Sequence, residues 1–205
     1  VATLDERLGT LLAKVDALGL RENTIVVYQS DNGHSTEERA HFGGGNAGPY
    51  RGAKFSLLEG GIRLPAIISW PGHLPEGEVR DQPAHACDWL PTVAELSGVT
   101  LPDTHLDGRS LVSVLHDAGA SGVHADHPLH WQVGTGPGAS WAVREGDWKL
   151  IGQSRDTSGP QGDWSEIENL LVNLRDDPGE TRNLAEAHPE LVSRLRKLHD
   201  QHLAD

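Results

Sequence analysis

The sequence predicts an α/β protein in two parts. Residues 1–122 read as a layered α/β sheet, and residues 123–205 as a small antiparallel sheet with a terminal helix. Three observations carry this. An amphipathic helical stretch feeds directly into a β-branched run, TIVVYQS at 24–30, and a second apolar run, LPAIISW, follows at 64–70. Helix-then-strand order with short apolar strands suits a layered sheet. From Pro128 the pattern changes to LHWQV and SWAVREGDWKLIGQ, which read as strands joined by a turn at Glu145, Gly146 and Asp147. The polar stretch HDAGASGVHADH at 116–127 lies between the two patterns and marks the boundary.

Taken in order, residues 3–18 form a helix whose Leu4, Leu8, Leu11, Leu12, Val15 and Leu18 share one face. Thr3 and Glu6 make a capping box, and Gly19 a stop. The strand at 24–30 is short enough to be buried and ends directly in Asp31, Asn32 and Gly33. Residues 35–50 are too irregular and glycine-rich to pack as regular structure. They read either as a functional loop above the sheet edge or as a disordered surface loop. No GxGxxG or Walker pattern fits, so a nucleotide fold is not supported. The second buried strand, at 64–70, is stopped by Pro71 and Gly72.

Residues 85–97 read as a helix that Pro91 either kinks or begins, with Cys87 as a core cysteine. In the second part a further strand spans 170–174, Asn183 is placed to cap the last helical region, and residues 189–203 form an amphipathic helix. That helix turns Leu191, Leu195 and Leu198 inward and Arg194, Arg196 and Lys197 outward. Trp131, Trp141, Trp148 and Trp164 read first as core and interface anchors, with a sugar platform at the cleft rim as the alternative for one of them.

Composition narrows the partners. A formal net charge of -13 argues against nucleic acid and against anionic membrane surfaces. An anionic substrate stays open, because a bound cation with local Lys or Arg inverts the field at a site. No apolar run approaches the ~18 residues of a transmembrane helix. The single Cys87 rules out an internal disulfide. The chain contains no Met and enters a helix at once, so it reads as a piece of something longer.

The residues that carry chemistry cluster after the first strand. An Asp carboxylate beside an Asn amide oxygen, delivered at a strand's carboxyl end, suits a divalent cation of the calcium or magnesium type. The same Asp-Asn-Gly string is also an ordinary turn. Lys54 brings a cationic donor back to the same end of the sheet, or is a solvated surface lysine. His34 reads as a loop histidine or as a substrate contact, and its place beside Asp31 and Asn32 favours the second.

The string SDNG, followed by RGAKFSLLEGGIRLPAIISWPG, resembles the type I sulfatases of the alkaline-phosphatase-like superfamily. The segments DWLPTV, LDGRSL, AVREGDWKL and DDPGETRNLA are similar to further landmarks of that family. The resemblance implies the C-terminal part of an alkaline-phosphatase-like layered α/β domain with its small antiparallel subdomain. It implies Asp31 and Asn32 as ligands of a divalent metal, usually Ca2+, whose remaining ligands lie outside this chain. It also implies Lys54, five residues before Glu59, as the catalytic and substrate-binding lysine on the sulfate. Glu59 and Arg63 would brace the loop.

The family's nucleophile is a formylglycine made from Cys or Ser in a Cys/Ser-x-Pro-x-Arg motif. Cys87 is followed by Asp88, Trp89 and Leu90 and does not fit, so the formylglycine belongs to an N-terminal part not in this sequence. The expectation is a sulfuric ester hydrolase acting on a small-molecule or glycan sulfate ester, with this chain inactive alone and partnered by the missing N-terminal part. Family resemblance suggests a periplasmic or secreted protein. The alternatives are a phosphoesterase or phosphonate hydrolase of the same superfamily, and a non-catalytic binding module.

Overall fold

The computed structural model describes residues 2–41, 43–159 and 165–204; Trp164, read above as an anchor, lies outside the described residues. The chain divides into two compact units, Val1–Gln29 with Ala66–Val123, and Ser30–Pro65 with His124–Asp205. Residues 30–65, which carry every candidate site residue, therefore group with the C-terminal sheet.

In the first unit, helix α1 spans Ala2–Ala17. It begins early enough that Thr3 lies inside its first turn, so the expected capping box does not form. Gly19 ends it in the left-handed conformation at φ 67, with its N–H on the Asp16 carbonyl at 2.9 Å. Leu8, Leu12 and Val15 are half-buried, whereas Leu4, Leu11 and Leu18 stay 57–61% exposed. Strands β1 (Val26–Gln29) and β2 (Ala66–Ser69) pair antiparallel, Val26 opposite Ser69. The sequence led us to expect buried strands. Val27, Tyr28 and Ile67 are instead exposed, because two strands make too narrow a sheet to cover both faces. A cavity of about 350 Å³ remains between Leu4, Leu8 and Leu12 of α1 and Val26, Tyr28 and Ile67 of the strand pair.

Helix α2 (Glu59–Ile62) belongs to the second unit, and in the first, helix α3 (Trp89–Ser97) follows a 3-10 turn at Ala86–Asp88. Pro91 sits in its first turn, so the proline begins the helix rather than kinking it. Cys87 is thereby left in the preceding turn, half-exposed, with Sγ 3.1 Å from His85 Nδ1. It is not the core cysteine the sequence suggested. Buried Asp88 ties this turn to the next segment, accepting from His85 N at 2.6 Å and from Arg109 N at 2.8 Å. Helix α4 (Val112–His116) closes the unit.

The second unit is built on four antiparallel strands in sequence order, β3 (Leu129–Val133), β4 (Ser140–Glu145), β5 (Trp148–Asp156) and β6 (Ser165–Asn173). The β4–β5 connection is a two-residue turn, Gly146 and Asp147 between paired Glu145 and Trp148. Gly146 takes φ 59 at the first central position, where hairpin turns favour glycine. One sheet face packs Ala142, Ile151, Leu170 and Val172 against Leu57 and Leu58. The other packs Trp141, Val143, Leu150 and Leu171 against Leu195 of helix α5 (Pro189–His202). Asn183 does not cap α5. Its side chain brackets the end of β6, accepting from Leu171 N at 3.1 Å and donating to the Asn169 carbonyl at 2.8 Å. Among the described residues no helix is long and apolar enough to cross a membrane.

Candidate functional site

Helix α2 (Glu59–Ile62) is a single turn of four residues, and the candidate site is assembled on its backbone. The Gly33 N–H donates to the Gly61 carbonyl at 2.8 Å, and the Lys54 N–H donates to the His34 carbonyl at 2.9 Å. The approach leaves no room for side chains. A Cβ at Gly33 would lie 2.1 Å from the Gly60 carbonyl oxygen, and one at Gly61 2.2 Å from that of Ser56. The chain just after β1 and the loop carrying Lys54 are thus joined through main-chain contacts.

Residues 50–58 are fastened to the far end of β5. Gly52 N donates to Ser158 Oγ at 2.8 Å, Ala53 N to Thr157 Oγ1 at 3.1 Å, and Ser56 Oγ to the Arg155 carbonyl at 2.6 Å. The Arg51 guanidinium meets Asp156 at 2.5 Å. Burial pushes the Asp156 carboxyl up, and Arg51 and Ser158 more than offset it, so it stays below its ordinary range.

Asp31 is exposed and Asn32 half-buried. The Asn32 N–H donates to Asp31 Oδ1 at 3.1 Å, a contact between adjacent residues. Both offer hard oxygen donors of the type calcium and magnesium take, but calcium calls for roughly six to eight. Among the described residues no group of three or more His, Cys, Asp or Glu is arranged to hold a metal. The donor set is of the kind a hard cation takes and is too small to complete its shell. His34 is half-buried against Gly45, where a Cβ would meet its own Cβ at 2.2 Å.

The Lys54 ammonium meets the Glu37 carboxylate at 3.3 Å. Glu37 also accepts from Arg39 Nε at 2.8 Å and from Ser35 Oγ at 3.0 Å. The Arg39 guanidinium, helped by Ser35 and Lys54 against some burial, holds this carboxyl down to about 2. It is therefore a carboxylate throughout the neutral range. Nothing in the sequence marks Glu37, since an acidic residue in an aperiodic loop carries no pattern.

Beneath α2 lies a second feature that sequence reasoning passed over. Lys149, fully buried on β5, donates to Glu59 Oε1 at 2.8 Å and to Glu180 Oε1 at 2.9 Å. The expected pairing of Glu59 with Arg63 is present at 3.6 Å, as a lesser partner. Burial pushes Glu59 up, but Lys149, with Arg144 and Arg63, brings it below its ordinary range; at Glu180 burial dominates and raises the carboxyl.

Comparison with known proteins agrees with this architecture. Residues 1–99 match the family model described as Sulfatase, and residues 53–204 match N-sulphoglucosamine sulphohydrolase, C-terminal. Human arylsulfatase A is 35% identical over 95% of this chain, which spans 41% of that relative. Mouse steryl-sulfatase is 32% identical over 98% of the chain, spanning 35% of its length. Among solved structures, Ps i-CgsB in complex with k-i-k-neocarrahexaose superposes with a TM-score of 0.78 at 26% identity, covering 96% of this chain and 40% of that one. The chain spans about two fifths of the relatives it matches.

Proposed function

This chain belongs to the sulfatase family, and on that premise we propose that it is the C-terminal part of a sulfuric ester hydrolase. The observation that carries the reading is the joining of the Asp31–Asn32 turn and the Lys54 loop through Gly33 on Gly61 and Lys54 on His34. Two hard oxygen donors and one ammonium are thereby held in one unit.

In this reading Lys54 binds the sulfate as a compact point charge and stabilises negative charge on its oxygens as the ester bond breaks. Asp31 and Asn32 would hold part of the shell of a divalent cation, Ca2+ by family resemblance. When bound, that ion supplies Lewis-acid polarisation at the sulfate oxygen. His34, beside this pair, faces the leaving group or the rest of the substrate. The substrate is a sulfate monoester on a small molecule or a glycan; the neighbour bound to k-i-k-neocarrahexaose favours the glycan class. The sequence holds no Cys/Ser-x-Pro-x-Arg motif, so residues 1–205 are inactive alone and work with an N-terminal part of the same protein.

The test compares purified 1–205 with the intact protein on an aryl sulfate and a sulfated oligosaccharide. Turnover by the intact protein alone, falling on the order of 10²–10³-fold in Lys54→Ala, is the expected result. Turnover by 1–205 would overturn the inactivity, and preference for a phosphate over a sulfate ester would move the protein to the phosphoesterase branch.

A further inference from the structure

Three segments far apart in sequence each place one charge at a single buried point. Lys149 on β5 is 0% exposed, Glu180 0% and Glu59 3%. Two carboxylates share one ammonium, at 2.8 and 2.9 Å. The second oxygen of Glu180 accepts the Glu59 N–H at 2.5 Å. Glu180 adopts φ 55, a left-handed conformation that side-chain-bearing residues seldom take and that only strong surrounding contacts maintain. Its carbonyl in turn accepts from Arg51 Nη1 at 2.8 Å.

The geometry explains what these ions hold. A helix of four residues cannot sustain itself, because nucleating a turn costs more than its few hydrogen bonds return. Its first residue, Glu59, is pinned twice, by its N–H on Glu180 and by its carboxylate on Lys149. From that fixed start the next residues reach the site: Gly60 N donates to the Arg51 carbonyl at 2.8 Å, and the Gly61 carbonyl receives Gly33 N. An apolar set of equal volume would serve stability as well or better, since buried ions forfeit their hydration. What charges add is direction, a fixed orientation for the first turn of α2.

We propose that Lys149, Glu59 and Glu180 are positioning residues, a buried ion triad that sets α2 and through it the spacing of Lys54 from the Asp31–Asn32 turn. Its bearing on catalysis rests on the sulfatase reading above; its bearing on the backbone does not.

The test uses the intact protein with Lys149→Met and Glu180→Gln, read by hydrogen exchange with mass spectrometry and by kcat and KM on a sulfate ester well below the unfolding midpoint. Lys149→Met should lose about tenfold or more protection in peptides covering Gly33 and Lys54, while peptides within β4 and β5 keep theirs. The same variant should lose on the order of 10²-fold in kcat/KM with its fold intact. Glu180→Gln keeps the shape and an acceptor oxygen, so it should show the same pattern in smaller measure. It decides the matter if Lys149→Met does not fold. Unchanged protection at Gly33 and Lys54, or an equal loss across the whole sheet, overturns the proposal. If the wild-type protein turns over no sulfate ester, the functional reading fails by itself and the exchange pattern still judges the triad.

Discussion

Glu37 pairs with the Lys54 ammonium, where the proposed site would take its anion, and its own charge is secured by Arg39. On the proposed reading, a substrate sulfate would compete with a carboxylate already in place. Glu37→Gln in the intact protein should tighten inhibition by inorganic sulfate by up to about fivefold, the worth of one partly exposed ion pair. An unchanged or weaker inhibition constant would remove Glu37 from the site. Lys54 stands out in the sequence only through resemblance, in its spacing to Glu59 and the two glycines, and its role is part of the proposal above. Glu37 does not stand out, for its partners lie in loops whose path no periodicity encodes. Lys149 is the instructive case. It lies two residues from Ile151 on one strand and so shares that residue's face, which packs on Leu57 and Leu58. With Trp148 and Leu150 beside it, the same lysine reads from sequence as the outward member of an alternation. Only the burial of both sheet faces makes it an inward one.

The sheet of β3–β6 is covered on both sides, and α5 covers one of them through Leu195, which is fully buried. Leu195→Ala should cost about 2–5 kcal/mol in denaturant unfolding of this unit, the usual range for such a truncation. Gly152→Ala should also destabilise it, since a Cβ there would meet the Trp141 indole at 2.2 Å.

Where α5 meets β3, His130 Nε2 lies 2.7 Å from His199 Nδ1, His202 packs on the His130 ring, and Trp141 stacks on His199. Burial, then the neighbouring His202 and His199, lower His130 to about 4. Burial likewise lowers His199, with Asp200 opposing and Arg196 and His202 reinforcing. The unfolded chain takes up these protons first, nearer 6.5, so the stabilisation is whole above about 6.5 and is lost as pH falls towards 4. The midpoint of thermal unfolding should fall across that window, and His130→Gln should flatten the slope; parallel curves would refute this. At this scale the hairpin at Gly146 and the terminal helix were legible, because alternation and heptad-like spacing are local. The start of β6 was not, since Glu166 and Glu168 give its first residues the look of a loop. Nor was the antiparallel pairing of β1 with β2, which no single-strand pattern records.

Across the whole molecule, the apolar surface is unevenly covered. Leu4, Leu11, Leu18 and Ile67 of the first unit are 57–61% exposed, while the second unit keeps a closed core. The isolated chain should therefore bind an environment-sensitive apolar dye well above a folded control, and Leu11→Glu with Ile67→Thr should reduce the signal. Dye binding at the control level would restore the stand-alone binding module as a contender. This exposure was not legible in the sequence, where the leucine spacing of α1 looked like that of any core helix.

The contact of Gly33 on Gly60 and Gly61 has an engineering corollary. Where two main chains touch with nothing between them, their separation follows from atomic radii and owes nothing to the identity of nearby side chains. The stretch 43–48 shares in that constraint, since a Cβ at Gly43 would lie 1.8 Å from the Ser35 carbonyl oxygen and one at Gly45 2.2 Å from His34 Cβ. A loop grafted there must keep glycine at 43 and 45, as the joint itself must at 33 and 61.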